Sequence, residues 1–180
     1  TNQDSQIDQM KLIHNGETIF DLKKKDATSW KMVSPIESDF VNVLNINNLQ
    51  TNIMQLIIDK FGEEHITEDQ YAEYGFDDPA YTFYFSQEDG TETTIYAKDY
   101  DTKSAQFVEC LQKETGQIFY CAANYISFLL AEPADFLSDV IYDADMADVA
   151  SVQVHIDGET DLNMELNSEN KQYTVNDIDV

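Results

Sequence analysis

Basic residues are scarce in this chain: 180 residues contain ten Lys and Arg against 35 Asp and Glu, a formal net charge of −25 at pH 7. Affinity for nucleic acid comes mainly from Lys and Arg side chains that neutralise phosphates. Anionic membrane surfaces attract the same cations. The charge therefore argues against both as partners and favours a well-solvated surface that resists aggregation.

Long hydrophobic runs are also missing. No apolar run approaches the ~20 residues that span a bilayer, and no charged segment leads into a hydrophobic one near residue 1. We interpret residues 1–9, which begin TNQDS, as a flexible polar leader. Such a leader could follow a removed signal peptide or a lipid-attachment segment.

Cysteine occurs only twice, at Cys110 and Cys121, and an even count is compatible with one disulfide in an oxidising compartment. Strand-like runs at 107–112 and 117–122 flank a Thr-Gly pair. A two-residue turn there would place the two cysteines directly opposite each other. A three-residue loop would shift the register and leave two buried thiols, so both outcomes stay open. Neither cysteine has CxxC spacing or a nearby His, which argues against redox catalysis.

The rest of the composition, 42% hydrophobic and 12% aromatic, suffices for one well-buried core in a chain too short for two large domains. Alternating apolar residues around Gly-containing turns predict hairpins at Asn15-Gly16 and at residues 88–90. Trp30 begins a third strand, which Pro35 closes. We therefore predict an α+β fold in which an antiparallel sheet of hairpins packs with a few helices.

Helix signals occur in the first half of the chain. The best helix is predicted to begin at Asn47 as N-cap, with Gln50 at the capping-box position, and to end at Gly62. Residues 40–46 before it have no clear helical period, so we interpret them as extended or irregular.

Shorter helices are predicted further along. One covers residues 67–74, begins at Thr67 as N-cap and is stopped by Gly75. Two more short helical stretches are predicted after Asn124 and from Pro133.

The sequence contains an indication of an internal repeat. Placing Gly16 on Gly158 aligns Asn-Gly-Glu-Thr with Asp-Gly-Glu-Thr. Met10, Leu12, Phe20 and Leu22 then fall on Val152, Val154, Leu162 and Met164, and one inserted residue brings Trp30 onto Tyr173 and Met32 onto Val175. We expect an α+β unit at 10–147 and, packed on the same domain, a C-terminal hairpin at 148–180 that resembles the start of a second unit. The alternative is that any two Gly-turn hairpins look alike.

Two segments, WKMVSP at 30–35 and YGFDDPAY at 74–81, together with a hairpin around Asp89-Gly90, resemble the bacterial DUF4340 family of uncharacterised proteins. The resemblance covers roughly residues 10–175. It departs from the family pattern at Phe76, where Leu is commoner, and near Ala97, where a glycine is usual. The motif residues that we single out are Trp30, Pro35, Tyr74, Gly75 and Pro79.

The resemblance implies an extracytoplasmic, often lipid-anchored bacterial protein built of repeated α+β units, some members being encoded beside membrane transport components. The family supplies no activity and no catalytic residues. We therefore expect structural roles for the motif, since Gly75 can adopt φ > 0 to end a helix and Pro79 fixes the chain that enters a strand.

Signals for catalysis, cofactors and metals are weak. His14, His65 and His155 lack metal-ligand spacing, and the sequence has no GxSxG, P-loop or GxGxxG. Carboxylates at Asp99 and Asp101 and at 143–148 have spacings that could meet Ca²⁺, without the glycine and the distal Glu of an EF-hand. We expect no catalytic, cofactor-binding or metal site.

Tyrosines are concentrated in the middle of the chain. Alternation along 81–85 places Tyr81, Phe83 and Phe85 on one face of a strand, as core, and Thr82 and Tyr84 on the other. The concentrated tyrosines are Tyr71, Tyr74, Tyr81, Tyr84, Tyr96, Tyr100 and Tyr120. Such a face is either ordinary sheet covering or a surface for protein or carbohydrate contact.

Our leading functional hypothesis is a non-enzymatic, membrane-anchored or secreted extracytoplasmic module. It would bind a protein partner in the cell envelope, such as a transporter component. One alternative is a hydrolase of envelope glycans that uses two carboxylates. A third is a small-ligand binding protein, which would need an apolar pocket with a few polar groups.

Overall fold

A computed structural model describes residues 6–138, 151–154, 162–167, 172–176 and 178–179. The chain divides into two compact units, residues 1–139 and 140–180. Most of the leader, residues 1–5, lies outside the described residues, and the first strand already begins at Ile7.

The first unit contains eight strands. They are β1 (Ile7–His14), β2 (Glu17–Lys24), β3 (Trp30–Ser34), β4 (Lys60–Phe61), β5 (Tyr81–Gln87), β6 (Glu92–Ala97), β7 (Phe107–Gln112) and β8 (Gln117–Ala122). They form one antiparallel sheet in the order β3-β2-β1-β5-β6-β7-β8-β4. The described residues include two short α-helices, α1 (Val43–Met54) and α2 (Tyr71–Tyr74). This arrangement confirms the α+β class.

The main core lies against one face of this sheet. Met10, Leu12 and Phe83 are fully buried, and neighbouring residues on the same strands are half-buried, because successive strand side chains point to opposite faces. Tyr81 and Phe85 share the buried face, while Thr82 and Tyr84 lie on the other, as predicted. Phe136 covers this core with its ring 4.7 Å from that of Phe20.

The position predicted for the main helix was wrong. Helix α1 begins at Val43, and its N-cap is Asn42, whose side-chain oxygen accepts a hydrogen bond from the N–H of Asn45 at 3.1 Å. The helix ends at Met54. Residues 43–46 are thus helical, and Gly62 follows β4, where it pairs with Ile118 of β8 (N···O 2.8 Å).

The other helical predictions fit more closely. A 3-10 turn, Glu68–Gln70, begins after Thr67, the predicted N-cap, which forms a capping box with Gln70; the turn continues into α2, which ends at Gly75. Two 3-10 helices, Ser127–Leu130 and Pro133–Phe136, occupy the stretches predicted after Asn124 and Pro133.

The register between β7 and β8 differs from the one that a two-residue turn would give. Residues 113–116 form a four-residue connection between Gln112 and Gln117, which are paired. Cys110 therefore lies opposite Phe119, and Cys121 lies opposite Val108. Both cysteines are buried free thiols on the core face and are diagonal neighbours.

The second unit contains a four-stranded antiparallel sheet. Its strands are β9 (Ser151–Val154), β10 (Leu162–Asn167), β11 (Gln172–Val175) and β12 (Ile178–Asp179), in the order β12-β11-β10-β9. The paired residues are Val152 with Met164, Val154 with Leu162, Met164 with Val175, and Leu166 with Tyr173.

Candidate functional site

A second, smaller hydrophobic cluster lies on the opposite face of the large sheet from the main core. Strand alternation separates the two, because Cys110 belongs to the main core whereas its neighbour Leu111 belongs to this cluster. Its buried members are Ile66, Tyr71, Phe76, Leu111 and Ile118. Helix α2 and the chain on either side of it thus cover this face.

Gly75 allows the chain to turn after α2. Its φ of 72° and ψ of 37° lie in the left-handed region that glycine adopts without strain. Directly after it, the N–H of Phe76 donates to the carbonyl oxygen of Tyr71 at 2.8 Å, which closes the helix end. The Phe76 ring is buried under Lys98, whose Nζ lies 4.9 Å from the ring centroid.

A cleft opens between this turn and the sheet, with a volume of about 430 Å³. We call it the tyrosine cleft; its lining residues are Glu68, Tyr71, Phe76, Asp77, Pro79, Thr82 and Tyr96. The rings of Tyr71 and Tyr96 meet edge to face, with centroids 6.1 Å apart and planes at 79°. Tyr71 is buried, while Tyr96 and Thr82 are half-buried, so part of the aromatic lining remains accessible.

Charged groups surround the tyrosine cleft. The carboxylates of Glu68 and Asp77 are exposed at the lining. Lys113 Nζ lies 3.7 Å from Glu68, and its pKa is raised mainly by Tyr96, with a smaller contribution from Glu68. Burial, followed by the Glu68 charge, raises the pKa of Tyr71. Tyr71 is therefore a neutral hydroxyl at pH 7, able to donate and accept hydrogen bonds.

A polar pair supports the sheet beside the cleft. Lys98 Nζ forms an ion pair with Glu109 at 2.8 Å, and the Tyr120 hydroxyl donates to Glu109 at 3.1 Å. Because Lys98 also contacts Phe76, this pair connects the turn after α2 with strands β7 and β8.

The family motif residues divide between the core and the cleft. Trp30 is buried in the main core, and Pro35 directly follows the last residue of β3. Tyr74 packs half-buried on the smaller cluster, and Pro79 lines the tyrosine cleft. The motif YGFDDPAY thus forms the turn after α2 and one wall of the cleft. A structural role for this motif was predicted from the sequence, but its place in a cleft was not.

The remaining predicted candidates lie elsewhere. His14 stacks on Tyr81 with ring centroids 4.3 Å apart, and His155 lies outside the described residues, as does the carboxylate run at 143–148. Asp101 accepts hydrogen bonds from Lys103 N–H and Ser104 Oγ, so it caps its own loop. No group of three potential metal-ligating side chains occurs within the described residues.

The two thiols interact with each other. Their mutual hydrogen bond, followed by burial, raises the pKa of Cys110, and the same hydrogen bond lowers the pKa of Cys121. Cys110 Sγ also lies 3.8 Å from the carbonyl oxygen of Val108. They belong to the main core, on the face of the sheet opposite the cleft.

Comparison with known sequences identifies the family. A sequence model described as a domain of unknown function, DUF4340, matches residues 30–178. The chain belongs to the DUF4340 family. No curated protein and no solved structure matches it. The DUF4340 match begins at the first residue of β3 and includes every residue that lines the tyrosine cleft.

Sequence reasoning did not single out Glu68, Asp77 or Lys98 as parts of a site. Two sequence features pointed to part of the cleft. Asp77 lies inside the family motif, and strand alternation places Thr82 on the face of the sheet away from the core. Glu68 and Tyr96 are 28 residues apart in the chain, and only the packing of α2 on the sheet brings them together.

No helix among the described residues has the length and apolar character that crossing a membrane would require.

Proposed function

We propose that this DUF4340 protein is a non-enzymatic binding or accessory module outside the cytoplasmic membrane and that the tyrosine cleft contacts its partner. The observation that carries the proposal is the half-buried, accessible Tyr96 ring beside Thr82 and Pro79 in the lining of the cleft. Tyrosine provides large contact area at low entropic cost, together with a hydroxyl that forms hydrogen bonds.

The partner that fits this lining is a protein segment in extended conformation with at least one basic side chain. Aromatic grooves that contain proline and tyrosine suit extended peptides, which lose little entropy on binding. The exposed carboxylates of Glu68 and Asp77 supply the attraction for Lys or Arg, and the net charge of −25 steers a basic partner toward the protein.

The proposed location is the cell envelope, with attachment to the membrane through a lipid anchor. Membership in DUF4340 supports it, since the family resemblance implies extracytoplasmic, lipoprotein-like proteins. A protein partner there, such as a transporter component, fits the proposed non-enzymatic role.

We also infer that residues 148–180 are the start of a second copy of the fold. Equivalent pairings support this. In the first unit, Met10 pairs with Leu22 and Leu12 with Phe20; in the second, Val152 pairs with Met164 and Val154 with Leu162. The next strand agrees, because Leu22 with Met32 corresponds to Met164 with Val175. The family match also runs from β3 to β12, and its length is close to the distance along the chain between Gly16 and Gly158 that the repeat would require.

Site-specific photo-crosslinking tests the binding role. A benzoylphenylalanine placed at Tyr96 of the purified protein is irradiated in solubilised bacterial envelope proteins, and Tyr125, which is 43% exposed outside the cleft, is the matched control position. We expect a discrete product from position 96 only. Excess unmodified protein should compete for it, whereas the Tyr96→Ser variant should compete at least several-fold less well.

Two results would contradict the proposal. Equal crosslinking at both positions would mean that the contact is not made by the tyrosine cleft. Tight saturable binding of a metabolite, measured by calorimetry and lost in Tyr96→Ser, without any protein product, would instead establish the small-ligand alternative.

A further inference from the structure

Strand β1 of the first unit lies between two partners. It pairs with β2 on one side and with β5 on the other, and the β5 contacts include Met10 with Phe85 and Leu12 with Phe83. Met10 is fully buried because it also belongs to the main core on one face of the sheet. Both edges of β1 are therefore used.

Strand β9 is the equivalent of β1 in the proposed second copy. It pairs with β10, and within the described residues no strand lies along its other edge. Val152, which corresponds to the fully buried Met10, is 37% exposed. The Val152 side chain is thus accessible to the neighbouring side chain that an added β5-type strand would bring, as β5 brings Phe85 beside Met10.

We propose that the edge of β9 away from β10 accepts an uncharged antiparallel strand with the residue pattern of β5, in which aromatic and hydroxyl side chains alternate. An edge strand presents unpaired N–H and C=O groups, and pairing along it gives main-chain hydrogen bonds, with specificity from alternate side chains. This inference rests on the proposed repeat and is independent of the tyrosine cleft.

Charge selects this occupant over a second copy of β9. Residues 140–180 contain ten Asp and Glu and one Lys, so two such units brought edge to edge would repel each other. Strand β5 (YTFYFSQ) carries no charged side chain, and its equivalent place beside β1 is already occupied within the first unit.

Hydrogen exchange measured by mass spectrometry tests the proposal on the full chain. The probe is a synthetic peptide of residues 79–98, which contains the β5–β6 hairpin with its β5 edge free. At saturating peptide we expect amide exchange at residues 151–154 to slow by about tenfold or more. Exchange in β1 should not change, and a scrambled peptide of the same composition should have no effect.

Two variants at adjacent positions sharpen the test. Val152→Lys places a charge directly beside the aromatic side chain that corresponds to Phe85 and should weaken peptide binding by about tenfold or more. Gln153→Lys is the matched control, because position 153 corresponds to Lys11, which lies half-buried in β1 opposite Tyr84 of β5. It should bind the peptide like the unmodified chain. Exchange at residues 162–167 reports whether each variant keeps its fold.

The proposal is overturned if β9 gains no protection, if the scrambled peptide protects equally, or if both lysine variants lose binding alike. Concentration-dependent protection of β9 without peptide would also overturn it, because self-pairing would then occupy the edge. Crosslinking at Tyr96 tests partner binding at the tyrosine cleft separately. Failure of the strand-addition proposal therefore does not decide the proposed function, and the reverse also holds.

Discussion

Gly116 and Ile66 lie in direct backbone contact. The N–H of Ile66 donates to the carbonyl oxygen of Gly116 at 3.0 Å, and a β-carbon on Gly116 would come within 2.3 Å of the Ile66 carbonyl oxygen. This contact fixes the chain just before the helical turn that begins at Thr67. The connection between β7 and β8 thereby positions one wall of the tyrosine cleft.

Gly116→Ala should strongly destabilise the first unit. The residue has φ 65°, and the added methyl would collide with backbone atoms that cannot move without displacing α2. We expect a loss of about 3 kcal/mol or more in the free energy of unfolding, measured by urea denaturation, since left-handed strain alone costs roughly 1 kcal/mol.

Gly16→Ala is the matched control for that change. Gly16 has φ 81° in the turn between β1 and β2, but a β-carbon there would meet nothing within 4 Å. It should lose only about 1 kcal/mol, the cost of the left-handed conformation. Similar losses at the two positions would mean that the contact with Ile66 contributes nothing.

Phe76→Ala should destabilise the first unit by about 3 kcal/mol, because removing a buried aromatic ring loses its burial and leaves a cavity. Phe76 is 1% exposed in the smaller cluster, whereas Phe40 is 52% exposed. Phe40→Ala should therefore change stability by less than about 1 kcal/mol. Thermal unfolding followed by circular dichroism provides the comparison, and a reversed order of the two losses would contradict the packing described.

The protein exposed to air should retain two free thiols. Both thiols are fully buried, so an oxidant does not reach them, and they lie diagonally rather than directly opposite each other across β7 and β8. Ellman's reagent should react slowly with the folded chain and detect two thiols after denaturation. A mass lower by two hydrogens in the untreated protein would contradict this prediction.

Moving one thiol tests the register. In the double variant Val108→Cys, Cys110→Ser, the new cysteine lies directly opposite Cys121. Directly opposite residues have β-carbons about 4.5–5.5 Å apart, closer than diagonal ones. This variant should therefore oxidise faster than the unmodified chain. Equal rates would indicate that register does not limit oxidation.

The hairpins were predictable because their signals are local. Alternation around Asn15-Gly16, and again around residues 88–90, determines which side chains are buried, and both turns lie where the sequence places them. The thiol register was not predictable, since the predicted turns had two or three residues and the connection has four.

The start of α1 depends on distant contacts. Asn42 and Asn47 are equally suitable N-caps by type, but Asn42 N–H donates to the Phe136 carbonyl at 2.9 Å, and Asn45 Nδ2 donates to the Asp135 carbonyl at 2.7 Å. The tyrosine cleft also depends on contacts between residues distant in sequence, because Tyr71 and Tyr96 meet only after α2 packs on the sheet. Local sequence specifies the elements, and long-range packing specifies both the cap and the site.

Tyr100→Phe should stabilise the protein, and the gain should grow at alkaline pH. Among the described residues, the Tyr100 hydroxyl is buried without a hydrogen-bond partner, so its removal should gain about 1 kcal/mol at pH 7. Burial, with a smaller effect of Tyr81, raises the pKa of Tyr100 to about 12 from an ordinary 10.0. Between these values the unfolded chain releases a proton that the folded chain retains, so this hydroxyl lowers wild-type stability as pH rises.

The variant lacks that proton release, and its advantage over the unmodified chain should therefore increase by a further ~1 kcal/mol near pH 11, after allowance for partial solvent screening. Urea denaturation at pH 7, 9 and 11 measures the difference, with Tyr125→Phe, at an exposed tyrosine, as the control. A difference that stays constant over this range would mean that Tyr100 ionises alike in both states. In that case its hydroxyl would not be shielded from water in the folded protein.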